Sequence, residues 1–503
     1  MAPSSQRLLL LLLLPAAACA VLFATFFLGG FSSSSSSSWA QPSIDLVRSL
    51  RGRDLRFHLV LPATAVNVNL CRLLLSGLVT GYPEPVFVGW GGHGQYDGAK
   101  SHLFKISETL AYLNSLPASA DGDLVLLLDA YDIWLQLRPD VLIKRYYDLI
   151  DRANQRLRED GVYGATHGGA EVRQSIVFGP DKTCWPTDAR RAACWAVPKS
   201  SMSEIAFGPD TDSWMVPNRP IWLNSGTIMG PAKDMRDMFN GTMEQVKRKF
   251  DVNFKQRNSD QYYFQELFAD QEVGRIKLRN GSVQAPVVGQ DRSTGEAIHG
   301  DVPDLPPGRR TEYHVTLDYE TEIFQTSAAY TEYLTWMSFN HSSAFDPQLA
   351  SRRRLDQGEI PQDISNSPAP FASIEKADTD LPVHHSWADL ILGVNGVTGT
   401  IFPLFHLTGE KAYRDRWWPR MWFHSHGRDL LNAARKANPY AEDPEMVAVV
   451  NGVRWKTPTV YRVNGSAVSG KGQVSRGGGW SDQGEHFGWD ELCHVHEEKL
   501  FEM

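Results

Sequence analysis

Apolar positions along the chain fall into short unbroken runs and stretches of helical spacing. The clearest run is Leu124-Val125-Leu126-Leu127-Leu128, bounded by Asp121-Gly122-Asp123 and by Asp129-Ala130-Tyr131-Asp132. A run of this length predicts a fully buried strand of a parallel sheet. Upstream, 56–64 reads as a first strand and the turn after it, ending at Thr64, and 85–90 as a second strand ending at Trp90. Between them, 69–77 looks helical, with Leu70, Leu73, Leu74 and Leu75 on or near one face. Residues 99–116 carry Leu103, Ile106, Leu110, Leu113 and Leu116 at helical intervals, the mark of an amphipathic helix. This alternation predicts an α/β fold with a mainly parallel sheet and right-handed crossovers.

Further along, 163–166 and 175–178 are weaker strands, and 221–226 is a strand running into a loop. Residues 232–250 and the aromatic stretch 262–268 read as helices, with Asp260 placed to cap the second. Residues 315–318 and 323–325 look like late strands. Pro-, Ser-, Asp- and Arg-rich segments near 288–310 and 343–382 read as insertions. Beyond Phe423 the pattern is poor, and no internal repeat is evident.

The two aspartates that end the leucine run change the picture from fold to chemistry. Ligands of open α/β sheets bind beyond the carboxyl ends of the strands. Two carboxylates there can hold one hard divalent cation, which in turn can grip a diphosphate. An exposed turn at a strand end is the plainer reading of such a pair standing alone. The glycine-rich stretch 91–98 lacks dinucleotide or Walker spacing and reads as a loop. The pairs His384/His385, His424/His426 and His494/His496 have no metal partner at a familiar spacing and read as surface histidines.

The N-terminus bears on compartment. Residues 8–31 carry no charge, and as a helix they would span roughly 36 Å, enough for a bilayer core of about 30 Å. Ala18-Cys19-Ala20 resembles a signal-peptidase site, but the apolar run continues past it, which favours an uncleaved anchor. Arg7 precedes it and no Lys or Arg follows until Arg48, so residues 1–7 are expected in the cytosol and the bulk in the lumen. Residues 32–53 open with a serine run and read as a flexible stem. Acceptor sequons at Asn240, Asn280, Asn340 and Asn464 agree with a secretory route. Four cysteines beyond the anchor allow three pairings; Cys184 with Cys194, flanking a short polar loop, is the first expectation. A net charge of −8 argues against nucleic acid as a partner.

The order of the pieces resembles the glycosyltransferase domain of the procollagen lysyl hydroxylase and collagen glycosyltransferase group. The pieces are Gly98-Ala99-Lys100; Leu127-Leu128-Asp129-Ala130-Tyr131-Asp132; Ile176-Val177-Phe178 with Cys184-Trp185-Pro186; Trp222-Leu223-Asn224-Ser225-Gly226; Ser259-Asp260-Gln261; Thr316-Leu317-Asp318 through Thr326; and Pro403-Leu404-Phe405-His406 through Lys411. The resemblance implies a GT-A fold, Rossmann-like, over residues 54–430, with 431–503 as a C-terminal extension. It implies a Golgi or endoplasmic reticulum enzyme that transfers glucose or galactose from a UDP-sugar to a glycan or glycoprotein. It also implies Mn²⁺ (Mg²⁺ as the alternative) held by Asp129, Asp132 and His406. Thr64, Lys100, Ser225 and Lys411 are then expected near the donor, and Asn224 and Asp260 at the transferred sugar. The family carries more acid before Gln261 than the single Asp260 found here. The aromatic expected to stack on uracil is not fixed by the motif; Trp90 and Tyr96 are the candidates. A nucleotide-sugar hydrolase and a tethered carbohydrate-binding protein are the alternatives. The C-terminal region lacks the iron-binding pattern of the hydroxylase module.

Overall fold

The run Leu124–Leu128 has no polar side chain on either face, and it lies wholly buried inside a large sheet. The computed structural model describes residues 52–291, 293–340, 359–371, 385–436, 446–459, 465–467 and 477–502. The expected anchor at 8–31, most of the stem, Asn464 and much of 343–382 lie outside them. Among the described residues, no helix is long and apolar enough to cross a membrane.

The first half of the fold contains β1 (Asp54–Pro62), α1 (Val68–Thr80), β2 (Val86–Val88), α2 (Leu103–Ser115), β3 (Leu124–Leu128), β4 (Ile133–Leu135) and α3 (Pro139–Glu159). Next come β5 (Ile176–Asp181), β6 (Trp222–Pro231), α4 (Ala232–Lys249), α5 (Asp260–Asn280), β7 (Val315–Leu317), β8 (Phe324–Thr326) and β9 (Leu404–His406). The last strands are β10 (Met446–Val450), β11 (Val453–Lys456), β12 (Gly479–Ser481) and β13 (His486–Phe487).

Among the described residues, ten strands form the main sheet, whose backbone order is β7-β5-β6-β3-β1-β2-β12-β13, with β11 paired to β1 and β10 to β11. β1 runs parallel to β2, β3 and β11. β6 runs antiparallel to both β3 and β5. The result is a mixed α/β architecture with a mainly parallel centre. Val125, Leu127, Phe178 and Ile228 share one buried cluster with Ile106 and Leu113 of α2, Met235 and Phe239 of α4, and Phe264 and Leu267 of α5. Burial of such side chains is worth about 1.5–3 kcal/mol each.

Several elements differ from the sequence pattern. α2 starts at Leu103, because Asp97 first folds 97–100 into a turn, accepting the Ala99 N–H on Oδ1 (2.9 Å) and the Lys100 N–H on its carbonyl (3.0 Å). Lys100 therefore does not open a helix. Of 163–166, only Thr166 is in a strand. The segment near 288–310 carries a short hairpin, Val287–Gln290 with Ala297–His299. The helix expected at 262–268 runs from Asp260 to Asn280, and its cap is Ser259, whose hydroxyl accepts the Tyr262 N–H; Asp260 is the first helical residue.

The stretch beyond Phe423 is built into the sheet. Asn451 (φ 54°) and Gly452 (φ 80°) form the tight turn of the β10–β11 hairpin, a two-residue turn that needs left-handed backbone at both positions and so favours Asn-Gly. β12 adds parallel to β2. Cys493 is bonded to Cys71 of α1, and Cys184 to Cys194 as expected.

Candidate metal centre

β3 ends at Leu128, and the Asp129 N–H continues the ladder by donating to the Gly226 carbonyl (2.8 Å). After buried Ala130 and half-buried Tyr131 the chain enters β4. β4 pairs antiparallel with β9, placing His406 opposite Ile133, and the Leu407 N–H donates to the Asp132 carbonyl (2.7 Å). This small sheet carries His406 to the aspartates despite their separation in sequence. His406 Nε2 lies 3.5 Å from Asp132 Oδ1 and 4.0 Å from Asp129 Oδ2. One ligand atom from each of the three lies within 4.8 Å of the others.

Backbone geometry makes the space for this cluster. Where β5 pairs with β6, the register jumps between Phe178 and Gly179: Phe178 faces Ile228 while Gly179 faces Asn224. Ser225, Gly226 and Thr227 bow out of that ladder, the kind of irregularity common beside sites. A side chain at Gly226 would put its Cβ 2.1 Å from His406 Cε1 and 2.8 Å from Asp129 Oδ2. Only glycine lets the strand approach this closely.

A buried lysine joins the metal candidates to the sugar candidates. Lys105 Nζ, on α2, lies 2.7 Å from Asp129 Oδ1 and 2.7 Å from Asp260 Oδ2. Burial opposes its charge, but the two carboxylates outweigh that and push the ammonium above its ordinary range. The Ser225 hydroxyl donates to Asp260 Oδ2 (2.9 Å), and exposed His102 stands 3.8 Å from Asp260 Oδ1. Burial would raise the Asp260 carboxyl, yet Lys105 and His102 hold it below its usual range.

Asn224 faces a different carboxylate. Its side-chain amide donates to Asp181 Oδ2 (3.0 Å), as does Gln261 (3.3 Å), and its Oδ1 accepts the Gly226 N–H (2.9 Å). Desolvation raises the Asp181 carboxyl in spite of these donors. On the other flank, Lys411 Nζ lies 2.9 Å and the Arg414 guanidinium 3.4 Å from Asp132 Oδ2. Burial raises the Asp132 carboxyl, but His406 and Lys411 overcome it and hold it far below the carboxylate range.

Asp129, Asp132, His406 and Lys411 thus form one polar cluster, Lys105 connects it to Asp260 and Ser225, and Asn224 joins through the backbone of Gly226. Thr64 is tied to the same region, since its N–H donates to the Tyr131 hydroxyl (3.2 Å). Lys100 is exposed and paired with Asp97 at 2.7 Å. Trp90 stacks on Phe87 and tilts against Phe487, with centroids 4.9 Å and 5.4 Å away. Tyr96 packs against the core cluster. Tyr131 lies between the two aspartates, its hydroxyl fixed by the backbone at 64–65.

Lys105, Asp181, Tyr131 and Arg414 do not stand out in the sequence. Lys105 left a faint signal: it shares a helical face with Thr109, Tyr112 and Leu116, all buried. Among the histidine pairs, His424 is buried rather than at the surface, wedged edge-on to Trp418. His494 groups with Asp490 and Glu497, but those carboxylates are already paired with Arg435 and Arg428.

The donor set of two carboxylate oxygens and one imidazole nitrogen fits a divalent transition cation such as Mn²⁺. The open Gly226 cradle and the facing Nε2 agree with that fit. Neither the models of known protein families nor the curated proteins include a match to this chain.

Proposed function

We propose that the chain is a GT-A-type glycosyltransferase that transfers glucose or galactose from a UDP-sugar to a glycan or glycoprotein acceptor. The observation that carries this reading is the meeting of Asp129, Asp132 and His406 at the carboxyl end of β3. Such a trio, at a sheet's ligand-binding edge, suits Mn²⁺ or Mg²⁺ together with a diphosphate. A bound cation would supply Lewis-acid stabilisation of the departing nucleotide.

The chain's own residues divide the remaining work. Lys411 and Arg414 add positive charge beside Asp132, where leaving-group charge develops. Tyr131 offers a half-buried ring, oriented through its hydroxyl, for stacking on the uracil. Lys105 holds Asp260 ionised and Ser225 donates to it, so Asp260 presents a fixed acceptor to sugar hydroxyls. Asn224 and Asp181 form the adjoining polar wall. Two disulfides support an oxidising, lumenal compartment, in keeping with a single-pass type II protein of the Golgi or endoplasmic reticulum.

The test is nucleotide release from a panel of UDP- and GDP-sugars, with Mn²⁺ or EDTA, with and without glycan acceptors. Metal-dependent release from UDP-glucose or UDP-galactose, accelerated by a glycan, is expected. Full release with water alone would favour a hydrolase, and glycan binding without release a binding protein.

A further inference from the structure

The C-terminal segment reaches the loop after β2 through one carboxylate. β12 pairs parallel with β2, and at the end of that pairing the Asp482 N–H donates to the Phe87 carbonyl (2.9 Å). The Asp482 side chain, only 3% exposed, serves the next donor along β2. Its Oδ2 accepts the buried Gly89 N–H (2.9 Å), 393 residues away in the chain. Burial raises the Asp482 carboxyl from its ordinary value, so its use here is as an acceptor more than as a charge.

Gly89 turns the chain off β2 with left-handed backbone (φ 72°). The residues that follow, 91–95, are all exposed, so packing does little to fix them. Hydrogen bonds hold the loop at its two ends instead: Asp482 at Gly89, and Glu108, whose Oε1 accepts the Gln95 N–H (3.0 Å). From the loop a chain of hydrogen bonds runs to the metal candidates. The Gly91 N–H donates to the Thr64 carbonyl (3.0 Å), and the Thr64 N–H donates to the Tyr131 hydroxyl (3.2 Å). That hydroxyl in turn donates to the Ala65 carbonyl (2.8 Å). The Tyr131 ring, between Asp129 and Asp132, is therefore aimed by backbone at 64–65 that the loop braces.

We propose that Asp482 is a positioning residue for nucleotide binding: it fixes the loop 89–95, and through Thr64 the loop sets the ring of Tyr131. The inference rests on the reading of this site as one for a UDP-sugar. It gives the C-terminal segment a part in nucleotide affinity without contact with the reacting atoms. Stacking on the base is the same before and during transfer, so the effect falls on KM and leaves kcat in place.

UDP is titrated calorimetrically into the full chain with Mn²⁺ present, and each variant is checked for fold by circular dichroism. Asp482→Ala should weaken UDP by about tenfold, the scale of a lost hydrogen bond to a charged group, and should raise KM for the sugar nucleotide with kcat kept. Asp482→Asn retains an acceptor for Gly89 and should bind as wild type does. Tyr131→Phe removes only the hydroxyl and should itself weaken UDP. In that background, adding Asp482→Ala should cost no more than about twofold, because the link that transmits its effect is already cut. Asp490→Asn, an exposed carboxylate on the same segment, should leave affinity unchanged. If wild type does not bind UDP, the donor reading fails and this inference falls with it. If wild type binds UDP, three results overturn this inference alone: unchanged affinity in Asp482→Ala or in Tyr131→Phe, an Asp482→Asn variant as weak as Asp482→Ala, or a full tenfold loss on adding Asp482→Ala to Tyr131→Phe.

Discussion

Lys105 Nζ lies 2.7 Å from Asp260 Oδ2, and each side chain is only 5% exposed. The same ammonium lies 2.7 Å from Asp129 Oδ1. One buried cation is therefore shared between the carboxylate that would handle the sugar and a carboxylate that would hold the metal. The two halves of the site are joined by a single side chain.

Replacing Lys105 by Met should lower stability by about 3 kcal/mol, because a buried carboxylate loses its counter-charge. The partial exposure of Asp129 limits its share of that loss. Urea unfolding measures the change. The same variant should bind Mn²⁺ more tightly than wild type, since Asp129 is no longer engaged, yet lose transfer activity because Asp260 is no longer positioned. Unaltered stability would mean that the lysine is not buried between the two acids.

Gly226→Ala tests the close approach of β6. Its Cβ would fall 2.1 Å from His406 Cε1, so the imidazole must move. Mn²⁺ affinity, followed by calorimetry, should fall by at least about tenfold, equivalent to some 1.4 kcal/mol. Unchanged affinity would place the cation elsewhere.

The acid limb of stability follows from two depressed carboxyls. Asp132 and Asp260 both titrate below their ordinary value in the folded chain. Each then contributes stability that is complete above the unfolded value of about 4 and is lost as pH falls through the folded value. Asp260→Asn should flatten the decline in unfolding free energy measured below about pH 4. An equally steep decline in the variant would show that Asp260 is not held ionised by Lys105.

Cys71–Cys493 fastens the C-terminal segment to α1. Cys493→Ser should lower stability by about 2–5 kcal/mol, with Trp489 and Leu492, both buried, exposed to early proteolysis. Limited digestion with mass spectrometry reads this directly. Cleavage at the same rate as in wild type would contradict an anchoring role.

Much of this architecture is written locally. The leucine run needs no context to be a buried strand, and the carboxylates at its end are adjacent by covalent continuity. Asp260 opens α5, a boundary that the sequence also marks, whereas Ser225, expected where a strand runs into a loop, lies inside β6, which continues to Pro231. Lys105 is different: its partners come from β3 and α5, and an amphipathic helix ordinarily exposes a lysine. Asp97 similarly delays the start of α2 through a turn that apolar spacing does not report. The β10–β11 hairpin does not show in the poor pattern beyond Phe423, and its place beside β1 depends on pairing across some 400 residues, as in Asp54 with Arg454. Trp90 shows the same limit, since Phe487 reaches it from that distant segment.

The most direct measurement is UDP release from UDP-glucose and UDP-galactose by wild type, Asp129→Ala and Asp132→Ala, each with Mn²⁺ and with EDTA. The expected result is acceptor-stimulated release by wild type with Mn²⁺, abolished by EDTA and by either substitution, with circular dichroism unchanged. Equal release from all three proteins, or release by wild type that is indifferent to EDTA, would contradict a metal-dependent transferase centred on Asp129, Asp132 and His406.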